Sequence, residues 1–237
     1  MIGAVRARLA GRSAGEIAEL VAKNLGYGLR RLLPGAAAAR RRSMAFDLRW
    51  GTDTATLANL SALSVDPARA RHGVRYQPSS GEALDWAVRA AAIEPGGWSF
   101  VDYGCGKGRI VLMASAGGFA RAVGVEFAPE LCRIARENVR RFVERGGAPA
   151  PAEIVEGDAG AFTPPAGPVF AYLYNPFGPV VLAEVVARLE AHAAAGAPIW
   201  AAYVDPRHPE LFGAARWEVA ARTDGATLFR ARGASDA

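Results

Sequence analysis

Cysteine is nearly absent from this 237-residue chain: Cys105 and Cys132 are too few for a disulfide scaffold. Histidine is almost as rare. His72, His192 and His208 are scattered, and no Cys/His spacing has the pattern of a zinc site, so no metal is expected. No apolar run approaches the roughly 20 residues needed to span a bilayer. The first residues alternate arginine with small apolar side chains and lack the continuous apolar core of a secretion signal. No Ser/His/Asp arrangement or pair of carboxylates stands out. These absences argue against a disulfide-stapled secreted module, a zinc protein and a helical membrane protein. The expected location is cytoplasmic.

What is present is a large apolar fraction, 51%, ample for one core. Charge is unevenly placed. Residues 1–49 carry nine arginines and one lysine against Glu16, Glu19 and Asp47, a net of +7, so the remainder of this +5 chain is mildly negative. The densest cluster is Arg40-Arg41-Arg42. Such an arm suits nucleic acid, an acidic protein or an anionic surface; it equally suits a solvated helix packed on the domain. Glu16–Leu33 has apolar residues at roughly helical spacing, and Ala36–Met44 reads as another short helix. Phe46–Thr56 reads as loop, with Gly51 as a turn residue. The expected division is a basic helical extension over 1–45 and one domain over 46–237.

Beyond residue 80 the pattern alternates. Ser80 is placed to cap a helix over Gly81–Ile93, which Pro95-Gly96-Gly97 ends. Strands are expected near 98–102, 121–126, 152–156, 169–174 and 197–204, with helices over 107–116, 129–145 and 179–195. Such alternation gives a parallel sheet covered on both faces. Trp217–Ala221 and Thr227–Arg232 flank Asp224-Gly225, a strong hairpin pair. The expected fold is therefore α/β: a Rossmann-like, doubly wound, mostly parallel sheet with a C-terminal antiparallel hairpin and an N-terminal helical extension.

The chemistry-bearing stretch is Phe100–Arg109. An apolar run ends in Asp102, and glycines follow at alternate positions, Gly104, Gly106 and Gly108. Missing side chains let backbone approach a ligand closely. A dinucleotide fingerprint has G-x-G-x-x-G, serving a pyrophosphate. Here the pattern is D-x-G-x-G-x-G. The acid would repel a pyrophosphate and attract an ammonium group. Arg121–Glu126 reads as a second strand ending in an acid, 24 residues after Asp102, suited to ribose hydroxyls in either family. A third strand runs into Gly157-Asp158-Ala159. A fourth ends in Asn175-Pro176-Phe177-Gly178.

In order and spacing these segments resemble the class I S-adenosylmethionine-dependent methyltransferases, over about residues 82–232. The resemblance implies a cofactor held by Asp102, Gly104, Cys105, Gly106 and Gly108, with Glu126 and the adjoining Phe127 at the ribose. It implies Asp158 at the adenine amino group and the Ala159 N–H at the ring. Cys105 matters there through its backbone. Asn175-Pro176-Phe177 resembles the [DN]-P-P-[YF] motif of methyltransferases acting on nitrogen, with Phe-Gly here in place of Pro-[YF]. It implies acceptor positioning by Asn175, Pro176 and Phe177, with Asn175 also near the cofactor. Tyr76-Gln77-Pro78-Ser79 resembles a Y-x-P-[ST] segment of lysine methyltransferases related to the mitochondrial ATP-synthase c-subunit enzyme. There it lies over the cofactor, which implies binding and catalytic roles for Tyr76. Lys107 stands where those relatives have an acid.

The resulting expectation is methyl transfer from S-adenosylmethionine to a nitrogen of a protein or small amine. An RNA acceptor, a nicotinamide-dependent reductase and a non-catalytic binding module on the same fold are the alternatives.

Overall fold

The computed structural model describes residues 34–56 and 81–233. The expected helix over 16–33, Ser80 and Tyr76 lie outside the described residues. The chain divides into two units, Met1–Met44 and Ala45–Ala237. Helix α1, Pro34–Trp50, contributes to both. The expected loop at Phe46 is thus corrected, because the helix continues to Trp50 before Gly51 turns the chain at φ +67°. Aromatic packing holds its last turn: Phe46 and Trp50 lie 6.0 and 4.6 Å from the Phe142 ring.

After α2, Gly81–Ala91, come β1 Ser99–Tyr103, α3 Arg109–Ala116, β2 Arg121–Glu126, α4 Pro129–Glu144 and β3 Ala152–Glu156. Then follow β4 Val169–Tyr174, α5 Pro179–Ala194, β5 Ile199–Val204, β6 Trp217–Arg222 and β7 Ala226–Ala231. The helix expected from 107 starts two residues later, since Gly108 sits at φ +82° and cannot be its first helical residue.

The seven strands form one sheet in the order β3-β2-β1-β4-β5-β7-β6. β1 to β5 pair in parallel; β7 runs antiparallel to both β5 and β6. All five residues of the central β1 are buried, as expected of a parallel strand covered on both faces. Alternate residues feed two cores. Val101 and Tyr103 join Leu173, Val185 and Leu189 on the α5 face. Phe100 joins Leu84, Ile110 and Cys132 on the face of α2, α3 and α4. The outermost strand β6 is mostly exposed, carries Glu218 and Arg222, and has an irregularity between Val219 and Ala221. Charge and bulge both discourage edge pairing with another chain.

The crossovers put all parallel strands' C-terminal ends at one edge. The turns after β1 and β4, the middle of this order, meet there: a Cβ on Gly104 would come within 2.6 Å of Pro176 Cβ. That edge, where connections diverge, is where open α/β sheets bind ligands.

Candidate cofactor site at the strand ends

The turn after β1 has an unusual backbone. Gly104, Gly106 and Gly108 take φ of +80°, +56° and +82°, a left-handed region that L side chains rarely adopt. The Gly104 and Cys105 N–H groups both donate to the Val125 carbonyl, at 2.8 and 3.0 Å. Gly108 N–H donates to the Cys105 carbonyl at 2.9 Å. The loop is therefore tied to β2 and closed on itself.

Glu126, at the end of β2, is 4% exposed. Its Oε2 accepts from Gly106 N–H at 2.9 Å, and its Oε1 accepts from Phe127 and Ala128 N–H at 3.0 and 2.9 Å. A carboxylate has about four acceptor positions, and three are filled. Glu126 is thus a brace for the glycine loop as well as a candidate ribose acceptor. Burial pushes its carboxyl pKa up against the pull of those three backbone donors.

Asp102 is also buried, at 4% exposure. Burial first, and the nearby Glu126 charge second, push its carboxyl up to about 8. A cation beside it would favour the ionised form. Asp158 follows β3; its Oδ1 accepts from Gly160 N–H at 3.1 Å and so caps the short turn Ala159–Ala161. Ala159 is buried, while Phe127 and Asp158 are half-buried.

Cys105 contributes backbone. Its side chain is 6% exposed, and burial holds its thiol well above the usual range. Its Sγ fills the space that a side chain at Gly124 would need, 2.6 Å from that Cβ position.

Asn175 and Pro176 lie half-buried beside Gly104. Asn175 is one of three described non-glycine residues at positive φ, +38°. Asp205 is another, at +46°, just after β5. Because Tyr174 pairs with Val204, these two strained residues sit at adjacent strand ends. Strain of this kind collects at functional sites. Phe177 is 7% exposed and belongs to the core on the α5 face, and its ring edge lies 3.5 Å from the Cβ position of Gly104, beside the glycine loop. His208 pairs with Glu210 at 3.2 Å in the loop after β5.

Several residues escaped the sequence reading. Asn138 on α4 is 1% exposed and hydrogen-bonds both Asp53 and Lys107. Its signal was an amide on the inward stripe Leu131, Cys132, Ala135, Phe142. Lys107 (3% exposed) and Arg109 (5%) turn toward Asp53 and Thr54, 54 and 55 residues upstream, which no local pattern reveals.

This strand order, with a terminal antiparallel hairpin and an acid-led glycine turn after β1, defines the class I methyltransferase fold. No protein-family model matches the chain. It is 30% identical over 77 residues to the ribosomal protein L11 methyltransferases of Yersinia pseudotuberculosis and Yersinia pestis, covering 32% of this chain. The chain spans about a quarter of the length of these curated relatives, 25%. Among solved structures it is similar to an RNA methyltransferase from Salinibacter ruber bound to S-adenosyl-L-homocysteine. That likeness has 25% identity and TM-score 0.45, over 65% of this chain and 92% of the other. It is similar also to a ribosomal protein L11 methylase from Lactobacillus delbrueckii, with 12% identity and TM-score 0.49 over 75% and 98%. Among the described residues, no helix is long and apolar enough to cross a membrane.

Proposed function

We propose that the chain is an S-adenosylmethionine-dependent methyltransferase acting on a nitrogen of a protein or small amine. One observation carries the cofactor: acids stand at the ends of three neighbouring strands, Asp102, Glu126 and Asp158, and Glu126 is bonded to a left-handed glycine loop. The two strand-end turns beside it are packed tightly, since a single added Cβ at Gly104 would collide with Pro176. When bound, S-adenosylmethionine supplies a methyl group already activated on a positively charged sulfur. Asp102, ionised, would face the ammonium of the methionine part. The remaining lone pair of Glu126 would take a ribose hydroxyl, and Asp158 with the Ala159 N–H would hold the adenine. Cys105, Gly106, Gly108 and Phe127 would contribute backbone or wall. The same acid argues against a pyrophosphate, and the antiparallel β7 is not part of a plain nicotinamide-binding sheet.

The protein's task in such a transfer is alignment. Effective molarity from holding two partners in line contributes on the order of 7–11 kcal/mol. The Asn175 side-chain carbonyl, at its strained strand end, can accept an N–H and aim the nitrogen lone pair inward. The nitrogen must be neutral when it attacks, and its proton leaves afterwards to solvent. Pro176 stiffens the turn. Phe177, with its ring edge beside Gly104, would shield the reacting centre from water. Tyr76 would cover the cofactor. Residues 1–45 would act on the acceptor or partner through their positive charge. The scarcity of cysteine supports the cytoplasm as compartment.

Calorimetry tests the donor: S-adenosylhomocysteine should bind and NAD should not. Labelled donor with fractionated lysate tests the acceptor. Label in RNA would overturn the amine acceptor and leave the transfer itself standing.

A further inference from the structure

The glycine loop is braced on the β2 side by Glu126. A second support holds it through Lys107. Asn138 accepts from Asp53 N–H at 2.8 Å and donates to the Asp53 carbonyl at 3.1 Å. It thereby pairs with one residue's backbone as a neighbouring strand would. The same Nδ2 donates to the Lys107 carbonyl at 3.0 Å, inside the glycine loop. Lys107 Nζ returns to Asp53 Oδ2 at 2.9 Å and to the Thr56 hydroxyl. Arg109 Nη1 donates to Thr54 Oγ1 at 2.9 Å. Asp47 clamps the far side, accepting from the Thr54 and Ala55 N–H groups at 2.9 and 2.7 Å.

These contacts are buried where it matters. The side chains of Lys107 and Asp53 are 4% and 44% exposed, so the ammonium is inside and the carboxylate at the rim. Burying an ammonium is costly unless it is paired, so the lysine commits residues 53–56 to this position. Glycine loses the most conformational freedom on ordering, and three glycines at alternate positions need outside restraint. The restraint comes from a segment that precedes the sheet by more than 40 residues.

We propose that residues 51–56 are a buttress for the cofactor loop, and that Lys107, Asp53 and Asn138 are positioning residues for donor binding. This rests on the donor reading above. The three act as one unit: Lys107 belongs to the loop, Asn138 bonds its carbonyl, Asp53 holds both, and none need touch the cofactor. The loop is then held at Gly106 by Glu126 and at Lys107 by Asn138.

The experiment uses the full chain and S-adenosylhomocysteine as probe, by calorimetry well below each variant's melting temperature. Lys107→Met and Asn138→Ala are each expected to weaken binding roughly tenfold or more, and Lys107→Arg to recover most of it. Adding Asp53→Asn to Lys107→Met is expected to cost less than about twofold further, because the pair is already broken. Amide hydrogen exchange on the ligand-free variants is the second readout. Exchange at Gly106 and Gly108 should quicken in Asn138→Ala while β4 and β5 stay protected. Wild-type affinity in Lys107→Met and Asn138→Ala, or full additivity of Asp53→Asn with Lys107→Met, overturns the proposal. If the wild-type chain does not bind the probe, the donor reading falls. The exchange data then decide the buttress: faster exchange at Gly106 and Gly108 supports it, and unchanged exchange overturns it.

Discussion

The two halves of the sheet edge are built differently. Around β1 and β2, two buried side chains are tied to the backbone by several hydrogen bonds each: Glu126 accepts three backbone N–H groups, and Asn138 makes three hydrogen bonds. Around β4 and β5, the strand ends carry strained residues, Asn175 and Asp205, and half-exposed pairs such as Asp205–Arg207 at 3.2 Å. A densely bonded network favours one arrangement, so it suits an invariant ligand. A strained, weakly bonded rim leaves room for an acceptor to complete it. The proposed donor half is thus set by the protein's own contacts, whereas the acceptor half is not.

The contrast is broken most severely at Glu126. Glu126→Ala strips two buried N–H groups and the part-buried one of Phe127 of their acceptor, each buried one costing about 1–3 kcal/mol if left unmade. At roughly 2–4 °C per kcal/mol for a domain of this size, a clear fall in melting temperature is expected. Affinity for S-adenosylhomocysteine should fall with it. Glu126→Ala with unchanged melting would mean that the brace contributes little.

Gly104 is the joint between the halves, and its substitution should have the next largest effect. An alanine there must adopt φ near +80° and place its Cβ 2.6 Å from Pro176. Strain of this kind costs on the order of 1–3 kcal/mol. Gly104→Ala should therefore weaken binding roughly tenfold to a hundredfold. It should also displace the Asn175 turn, visible as shifted amide resonances of residues after β4. Shifts confined to the glycine loop would show that the two halves are independent.

A smaller effect, and a sharper one, comes from pH. Asp102 is pushed up to about 8 from an ordinary 3.8, chiefly by burial. Between those values the folded chain keeps a proton that the unfolded chain has released. Its contribution to stability is complete below the unfolded value, declines as pH rises, and is gone above about pH 8. The ligand-free protein should therefore melt lower at pH 8 than at pH 5, and Asp102→Asn should flatten that slope. Binding runs the other way. A ligand ammonium needs the carboxylate, so affinity should rise over the same window in wild type and not in Asp102→Asn. A pH-independent affinity in wild type would remove Asp102 from the cofactor's ammonium.

The same division explains what could be read from the chain. Strands and helices of the sheet were legible, because continuous apolar runs alternate with helical stripes, and turns are marked by Gly, Pro and Asp-Gly. Asp102, the glycines, Glu126 and Asp158 were legible as candidates because each stands at a strand end. The buttress was not. Asp53 and Lys107 are brought together only by tertiary packing, and the loop-like composition of 46–56 hid a helix that aromatic contacts with Phe142 stabilise. The placement of Phe177 is likewise not local: an aromatic beside a strand-end proline has the same local sequence whether it faces a ligand or the core.

Asn175 offers the smallest expected stability change and the finest test of the rim. Asparagine tolerates left-handed backbone better than most residues, and glycine tolerates it without steric cost. Asn175→Gly should therefore leave melting and S-adenosylhomocysteine affinity nearly unchanged, whereas Asn175→Ala, strained at φ +38°, should melt slightly lower. Turnover separates the two roles of this side chain. If its amide orients the acceptor nitrogen, both variants should lose kcat by a similar factor, since each removes the same carbonyl while only alanine keeps the strain. If asparagine is present only to suit the turn, glycine should transfer methyl groups as fast as wild type. The measurement needs the acceptor found by label transfer, with mass spectrometry to place the methyl group. A methyl on oxygen, carbon or sulfur would end the nitrogen assignment, and full turnover in Asn175→Gly would reduce Asn175 to a turn residue.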